Sequence, residues 1–362
     1  MEAHGFTEPR FDAVRDCLAG VLDGQAGTGA AFAAWFDGRR VADLWGGYAD
    51  AGRTRPWESA SIVQPYSVSK PFAAVCVLHL AGQGRVDLDA PMQRYWPEFR
   101  APATVRHVLS HQAGVVALTD PAPAEAFYDW DEMCRLLAAQ EPEWEPGTAH
   151  GESAKFYGHL TGELVRRIDG RRPGQYLREE ICGPNDLDFH FGLGPAEQAR
   201  AVDLTGLDDE FRANLLAGKP PLFERAVMNP PGGFDAAVTN SAAWRAAEVP
   251  AVNGHGTARA VADFYQALEG GRILSKALLA EAITVHASGP DRVFGDDASW
   301  GLGFGIDGSD YGMGGVGGNY GGTSQAAGYT IGYVTGTVGT FDPLSTMENE
   351  FRRCLGLPPL EF

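Results

Sequence analysis

Ser67 and Lys70 stand three residues apart in QPYSVSKPF, directly ahead of the apolar run 73–80. Three residues are nearly one helical turn, so the two side chains project from the same side and can share a proton. A serine at a helix start also has free backbone N–H groups near its oxygen, and these stabilise developing negative charge. The pair has the parts of a nucleophile with a built-in proton partner. S-x-x-K spacing alone is common, and its plain alternative is a capping serine beside a solvated lysine. The Pro-Tyr entry and the apolar helix behind it favour the chemical reading, because a nucleophile must be held rigidly.

Four histidines, His111, His150, His159 and His255, raise a serine–histidine–acid arrangement as the rival. The G-x-S-x-G elbow such enzymes use is missing, and its nearest counterpart, Gly322-Thr323-Ser324-Gln325-Ala326, ends in Ala. No His, Cys and acid spacing suggests a metal, and no cofactor is expected. The five cysteines are scattered and odd in number, which argues against a disulfide framework.

These residues need a scaffold. A helix is expected over 10–22, then strands over 30–36 and 40–45 joined at Asp37-Gly38, where both turn positions tolerate positive φ. Residues 71–83 read as a helix ended by Gly84. Helical patterns with Pro and Gly breaks follow over 105–110, 131–139, 157–168, 173–181, 195–201 and 210–217, and an amphipathic helix over 258–268 carries Val261, Phe264, Tyr265 and Leu268. From about 296 the character changes to Gly, aromatic and β-branched residues, as in antiparallel strands with tight turns. The Gly-rich run 312–322, GMGGVGGNYGG, reads as backbone that something approaches closely. The expectation is an α+β fold: a sheet built from both termini (about 1–60 and 255–362) with a mostly helical lobe (about 61–254) inserted, one catalytic unit over 1–362.

With 362 residues and 44% hydrophobic content the chain can bury a large core. A net charge of −18 works against nucleic acid and anionic membranes, which are bound through clustered Lys and Arg. The acidic start, with Glu2, Glu8, Asp12 and Asp16, does not read as a signal peptide, and no stretch is long and apolar enough to span a bilayer. A cytoplasmic protein is the simplest expectation; the sequence is silent on oligomeric state.

The chain resembles the serine β-lactamase and penicillin-binding superfamily, in its class C-like branch of carboxylesterases, D-amino-acid peptidases and amidases, and acyltransferases. QPYSVSKPFAAVCVLHLAGQGRVDLDAPMQRYWPEF, TVRHVLSHQAGVVAL, WEPGTAHGESAKFYGHLTGELVRR, NGHGTARAVADFYQAL and YGMGGVGG carry the resemblance in order, from about residue 30 to 340. It implies an antiparallel sheet flanked by helices, with Ser67 as nucleophile and Lys70 as its activating partner. The family's second motif places a catalytic Tyr a few residues beyond Pro-Gly-Thr; after Pro146-Gly147-Thr148 that position holds Glu152. Tyr157 lies in the same segment and aligns with a structural aromatic, its catalytic role being the minor alternative. His150 is placed near Glu152 in the cleft, while His111 and His255 align with structural segments. Where the family has Lys-Thr-Gly, His-Gly-Gly or Trp-Gly-Gly, this chain has Met313-Gly314-Gly315-Val316. Met313 cannot pair with a substrate carboxylate, which works against turnover of penicillins. By the same correspondence the backbone N–H groups of Ser67 and Val316 form the oxyanion hole, with Tyr66, Met313, Gly314 and Gly315 lining the cleft.

A free lysine is neutral only about 0.04% of the time at pH 7, so using it as a base costs roughly 4 to 5 kcal/mol unless burial depresses its pKa. A neighbouring carboxylate favours the ammonium instead. The sequence therefore supports an ionised Glu152 as base or proton relay with Lys70 as cationic donor, against Lys70 as base with Glu152 protonated. The expected function is acyl transfer from a small-molecule ester or amide donor through acyl-Ser67 to an amine or other small-molecule acceptor, as in transacylases of antibiotic biosynthesis. A carboxylesterase or amidase discharging to water is the alternative, and a catalytically retired binding protein the reading from another class.

Overall fold

The computed structural model describes residues 1–25 and 27–360, so positions 26, 361 and 362 of the expected unit lie outside the described residues. Among the described residues, eleven strands occur in chain order: β1 (Ala3–Thr7), β2 (Ala30–Phe36), β3 (Arg39–Gly46), β4 (Phe189–His190), β5 (His255–Gly256), β6 (Ala287–Pro290), β7 (Asp297–Trp300), β8 (Gly305–Asp307), β9 (Asp310–Gly315), β10 (Asn319–Ser324) and β11 (Tyr329–Thr335). Nine form one antiparallel sheet in the order β1-β3-β2-β11-β10-β9-β8-β7-β6, and β4 and β5 pair separately. The N-terminal hairpin is thus sewn to the C-terminal strands through β2 and β11, with Ala33 opposite Gly332. This is the expected α+β architecture.

Local chemistry explains the junctions. Asp37 and Gly38 have φ of +49° and +71°, the paired left-handed residues of a tight hairpin turn. β2 reads AAFAAWF and is buried on both faces: Ala30, Phe32 and Ala34 meet the helices Asp12–Gly24 and Asp342–Leu355, and Ala31 and Ala33 meet the helix Ala258–Glu269. Small residues let that last helix lie close. A Cβ on Gly332 would stand 2.4 Å from the Ala258 carbonyl oxygen, and one on Gly321 would stand 2.3 Å from Val261 Cγ1.

Several expectations need correcting. The strand region begins at β6, not near 296, and β1 was not anticipated: only Ala3 and Thr7 of its five residues are buried, so it shows no alternation. Helices at Pro221–Met228, Lys276–Ala282 and Asp342–Leu355 were also missed. The helix expected over 173–181 is a turn at Pro173–Tyr176 running into a π-helical stretch at Leu177–Cys182. No described helix is long and apolar enough to cross a membrane.

Candidate active site

The nucleophile's place is set by the chain on either side of it. Tyr66 has a φ of +49°, a left-handed conformation uncommon for an aromatic residue, and a 3₁₀ turn over Tyr66–Val68 leads into the helix Ser69–Gly82. That helix is buried almost all round. Phe72 lies stacked between Phe189 and Phe264 at centroid distances of 3.7 and 3.9 Å, and Ser69 Oγ accepts a hydrogen bond from the Gly254 amide at 3.1 Å. Ser67 therefore sits on a fixed helix start.

Glu152 arrives on an irregular segment held by its own main chain. The Gly151 amide donates to the His111 carbonyl at 3.0 Å, the Glu152 amide to Asp291 Oδ2 at 2.8 Å, and the Ser153 amide to His111 Nδ1 at 3.1 Å. Burial, together with the nearby Lys70 and His150, holds the His111 pKa well below the usual imidazole range, which keeps Nδ1 free to accept. Asp291 is itself buried and also accepts from the Val293 and Phe294 amides at 2.8 Å. His111, expected as a structural residue, is the support of the Glu152 segment; Asp291 is the residue sequence reasoning missed, lying 139 positions from Glu152 in the chain with no local motif to mark it.

The three polar side chains converge. Lys70 Nζ lies 2.7 Å from Ser67 Oγ and 2.8 Å from Glu152 Oε1, while Oγ and Oε1 are 3.5 Å apart. Lys70 is fully buried and Ser67 and Glu152 retain only 9% and 7% of their exposure. Burial pushes the Lys70 pKa down from the usual lysine range, and the Glu152 carboxylate pulls part of that shift back. The lysine can thus release a proton more readily than a free one and still hold an ion pair.

Gly315 at the end of β9 touches the turn carrying the nucleophile: a Cβ there would lie 2.0 Å from the Pro65 carbonyl oxygen. Val316 follows directly. Among the described residues, no backbone carbonyl accepts from the Ser67 or Val316 amide. Ser67, Glu152, Met313, Gly314, Gly315 and Val316 line one cleft of about 790 Å³.

Three expected cleft residues sit behind it instead. Tyr66 is buried, stacks on Phe234 at 5.6 Å and donates to the Gly233 carbonyl at 3.3 Å. Tyr157 donates its hydroxyl to the Leu109 carbonyl at 3.0 Å, as a packing aromatic does. His150 is buried 3.8 Å from Asp291 with neither ring nitrogen hydrogen-bonded among the described residues. Ser67 has Lys70 and Glu152 as its side-chain partners and no histidine, and Ser324 lies on β10. The described residues contain no cluster of three or more His, Cys, Asp or Glu side chains that could hold a metal.

The beta-lactamase family profile matches residues 14–347. Esterase/beta-lactamase LipL of Mycobacterium tuberculosis is 33% identical over 297 residues, covering 76% of this chain and 68% of that protein. Among solved structures, a family VIII carboxylesterase superposes with a TM-score of 0.88 at 34% identity, covering 98% of this chain and all of the other. A penicillin-binding protein homologue from Caulobacter crescentus superposes with a TM-score of 0.85 at 32% identity over 96% and 98% of the two chains. On these grounds the chain is a member of the beta-lactamase family, in the branch of family VIII carboxylesterases and LipL-like esterases.

Proposed function

We propose that the protein is a carboxylesterase that carries its acyl group on Ser67 and discharges it to water. The observation that carries this reading is Lys70 Nζ standing 2.7 Å from Ser67 Oγ and 2.8 Å from Glu152 Oε1 in a buried site. The direct path from Oγ to Oε1, 3.5 Å, is at the outer limit of a hydrogen bond, so two short steps through Lys70 make the better proton path. As Oγ attacks the ester carbonyl, its proton passes to Nζ while an Nζ proton passes to Oε1. Glu152 ends protonated and Lys70 remains an ammonium. When the tetrahedral intermediate collapses, the C–O bond to the alcohol breaks and the proton returns along the same path to the leaving oxygen. Water then gives up a proton by this route, attacks the acyl carbon and releases the carboxylic acid and Ser67. The Ser67 and Val316 amides stabilise the oxyanion in both halves.

Similarity to a carboxylesterase and an esterase over most of the chain supports hydrolysis over the expected transfer to an amine, and lends no support to a place in antibiotic biosynthesis. Met313 at the cleft, unable to pair with a carboxylate, supports esters over penicillins. An assembled nucleophile, lysine and carboxylate argue against a retired site. The test is intact-mass analysis after mixing with p-nitrophenyl butyrate. A butyryl adduct on the parent, absent from Ser67→Ala and cleared to butyrate, is expected. An adduct that persists in Ser67→Ala removes the nucleophile, and discharge mainly as amide when an amine is added replaces hydrolysis with transfer.

A further inference from the structure

Lys155 is fully buried three residues beyond Glu152, and among the described residues no carboxylate lies near enough to offset that burial. A buried ammonium without a counter-ion is costly, and an apolar side chain of similar length would fill the space without that penalty. The acyl-transfer chemistry does not use it, because Lys70 is the lysine at Ser67. What Lys155 holds is the loop 229–234, Asn-Pro-Pro-Gly-Gly-Phe. Its Nζ donates to the Pro230 carbonyl and lies 4.9 Å from the centroid of the Phe127 ring. A Cβ on Gly233 would stand 3.7 Å from Lys155 Cδ, so the same side chain also supports Gly233. Pro230 and Pro231 have no N–H, and this stretch therefore depends on a donor from outside it.

That loop holds the nucleophile's neighbour. The Gly233 carbonyl accepts from the Tyr66 hydroxyl at 3.3 Å, and the Phe234 ring stacks on the Tyr66 ring at 5.6 Å. Tyr66 keeps its left-handed φ of +49° directly before Ser67, a conformation that persists only where the surroundings enforce it. It sets the direction in which the Ser67 amide and Oγ leave the chain. A second route runs through rings: Phe127 meets Trp244 edge-on at 5.4 Å, and Trp244 Nε1 donates to Gln64 Oε1 at 2.8 Å. Both routes begin at Lys155 and end on the stretch that leads into Ser67.

We infer that Lys155 is a positioning residue for the nucleophile: through the 229–234 loop and the Phe127–Trp244 pair it fixes Tyr66 and Gln64, and with them the aim of Ser67. The inference rests on the reading of Ser67 as the acyl-carrying nucleophile.

The test compares Lys155→Met, Tyr66→Phe and the double variant on p-nitrophenyl butyrate, with circular dichroism to show that each is folded. Lys155→Met should lose about tenfold or more in kcat with KM within about twofold, since a misaimed nucleophile spoils the reacting geometry and not substrate binding. Tyr66→Phe keeps the ring stack, drops the bond to Gly233 and should lose about threefold in kcat. The double variant should fall no more than about twofold below Lys155→Met, because the hydroxyl's bond counts only while the loop is in place. The rate at which a fluorophosphonate labels Ser67 reads the same aim without ester turnover, and it should slow by a similar factor in Lys155→Met. Parent-like kcat and labelling in a folded Lys155→Met overturn the inference and leave the esterase reading intact. A parent-like kcat in Tyr66→Phe overturns it whether or not Lys155→Met folds, and so do losses that multiply in the double variant. Slowed labelling in Lys155→Met, with a parent that is labelled at Ser67 yet does not hydrolyse the ester, sustains the inference and removes the esterase reading instead.

Discussion

Replacing Glu152 by Gln separates the two proton paths that the site allows, because they move the rate in opposite directions. Opposite charges 2.8 Å apart attract by about 6 kcal/mol at an effective dielectric constant of about 20, which favours the Lys70 ammonium. Glutamine keeps the shape and removes that attraction, while Lys70 stays fully buried. Its pKa, already pushed down by burial, would fall further, and neutral Lys70 would become more abundant at pH 7. Were Lys70 the base by itself, acylation would hold or accelerate. With Glu152 as the final proton acceptor, the variant loses general-base assistance, about 10² to 10⁴ in acylation rate or roughly 3 to 5 kcal/mol. The assay is single-turnover release of p-nitrophenol from p-nitrophenyl butyrate at pH 7, with circular dichroism to show that the fold is retained. Acylation of Ser67 by Glu152→Gln within about threefold of the parent, or faster, refutes the relay.

Gly315→Ala should lower kcat by about 10² or more with little change in KM, because its Cβ meets the Pro65 backbone and must displace β9 and the Val316 amide from the oxyanion; wild-type kcat from a folded variant would dismiss the Val316 assignment. Asp291→Ala removes the acceptor for three backbone amides, one of them that of Glu152, and should cost about 1 to 3 kcal/mol in denaturant stability along with a fall in kcat; loss of stability with kcat intact would make Asp291 structural only. Lys155 is buried against Phe127 and donates to the Pro230 carbonyl, and burial lowers its pKa from 10.5 to about 7. A lysine whose folded pKa is depressed binds its proton more tightly when unfolded, so its destabilising effect is full below about pH 7 and fades as pH rises towards 10.5. The stability of the parent relative to Lys155→Met should accordingly rise by as much as about 5 kcal/mol across that window in urea melts, and a flat difference would place Lys155 at an ordinary lysine pKa.

Much of this protein is carried by short-range pattern. Ser67 and Lys70 are one helical turn apart, so their meeting follows from helix geometry alone, and the hairpin at Asp37-Gly38 follows from the φ values those residues tolerate. The glycines of the 312–322 run announced close approach, although not to what; the folded chain supplies Pro65 and Val261 as the neighbours. Tertiary structure alone decided the rest. Tyr66, Tyr157 and His150 share the sequence neighbourhood of the reacting groups, yet their polar atoms turn towards Gly233, Leu109 and Asp291, because the direction of a side chain at the start of an element or in a loop depends on what packs around it. The charge balance at Lys70 likewise depends on burial, a property of everything around it. Glu152 shows both limits at once: its position was legible 85 residues from Ser67, but its distance to Lys70 and its support by His111 and Asp291 depend on contacts that no local pattern encodes.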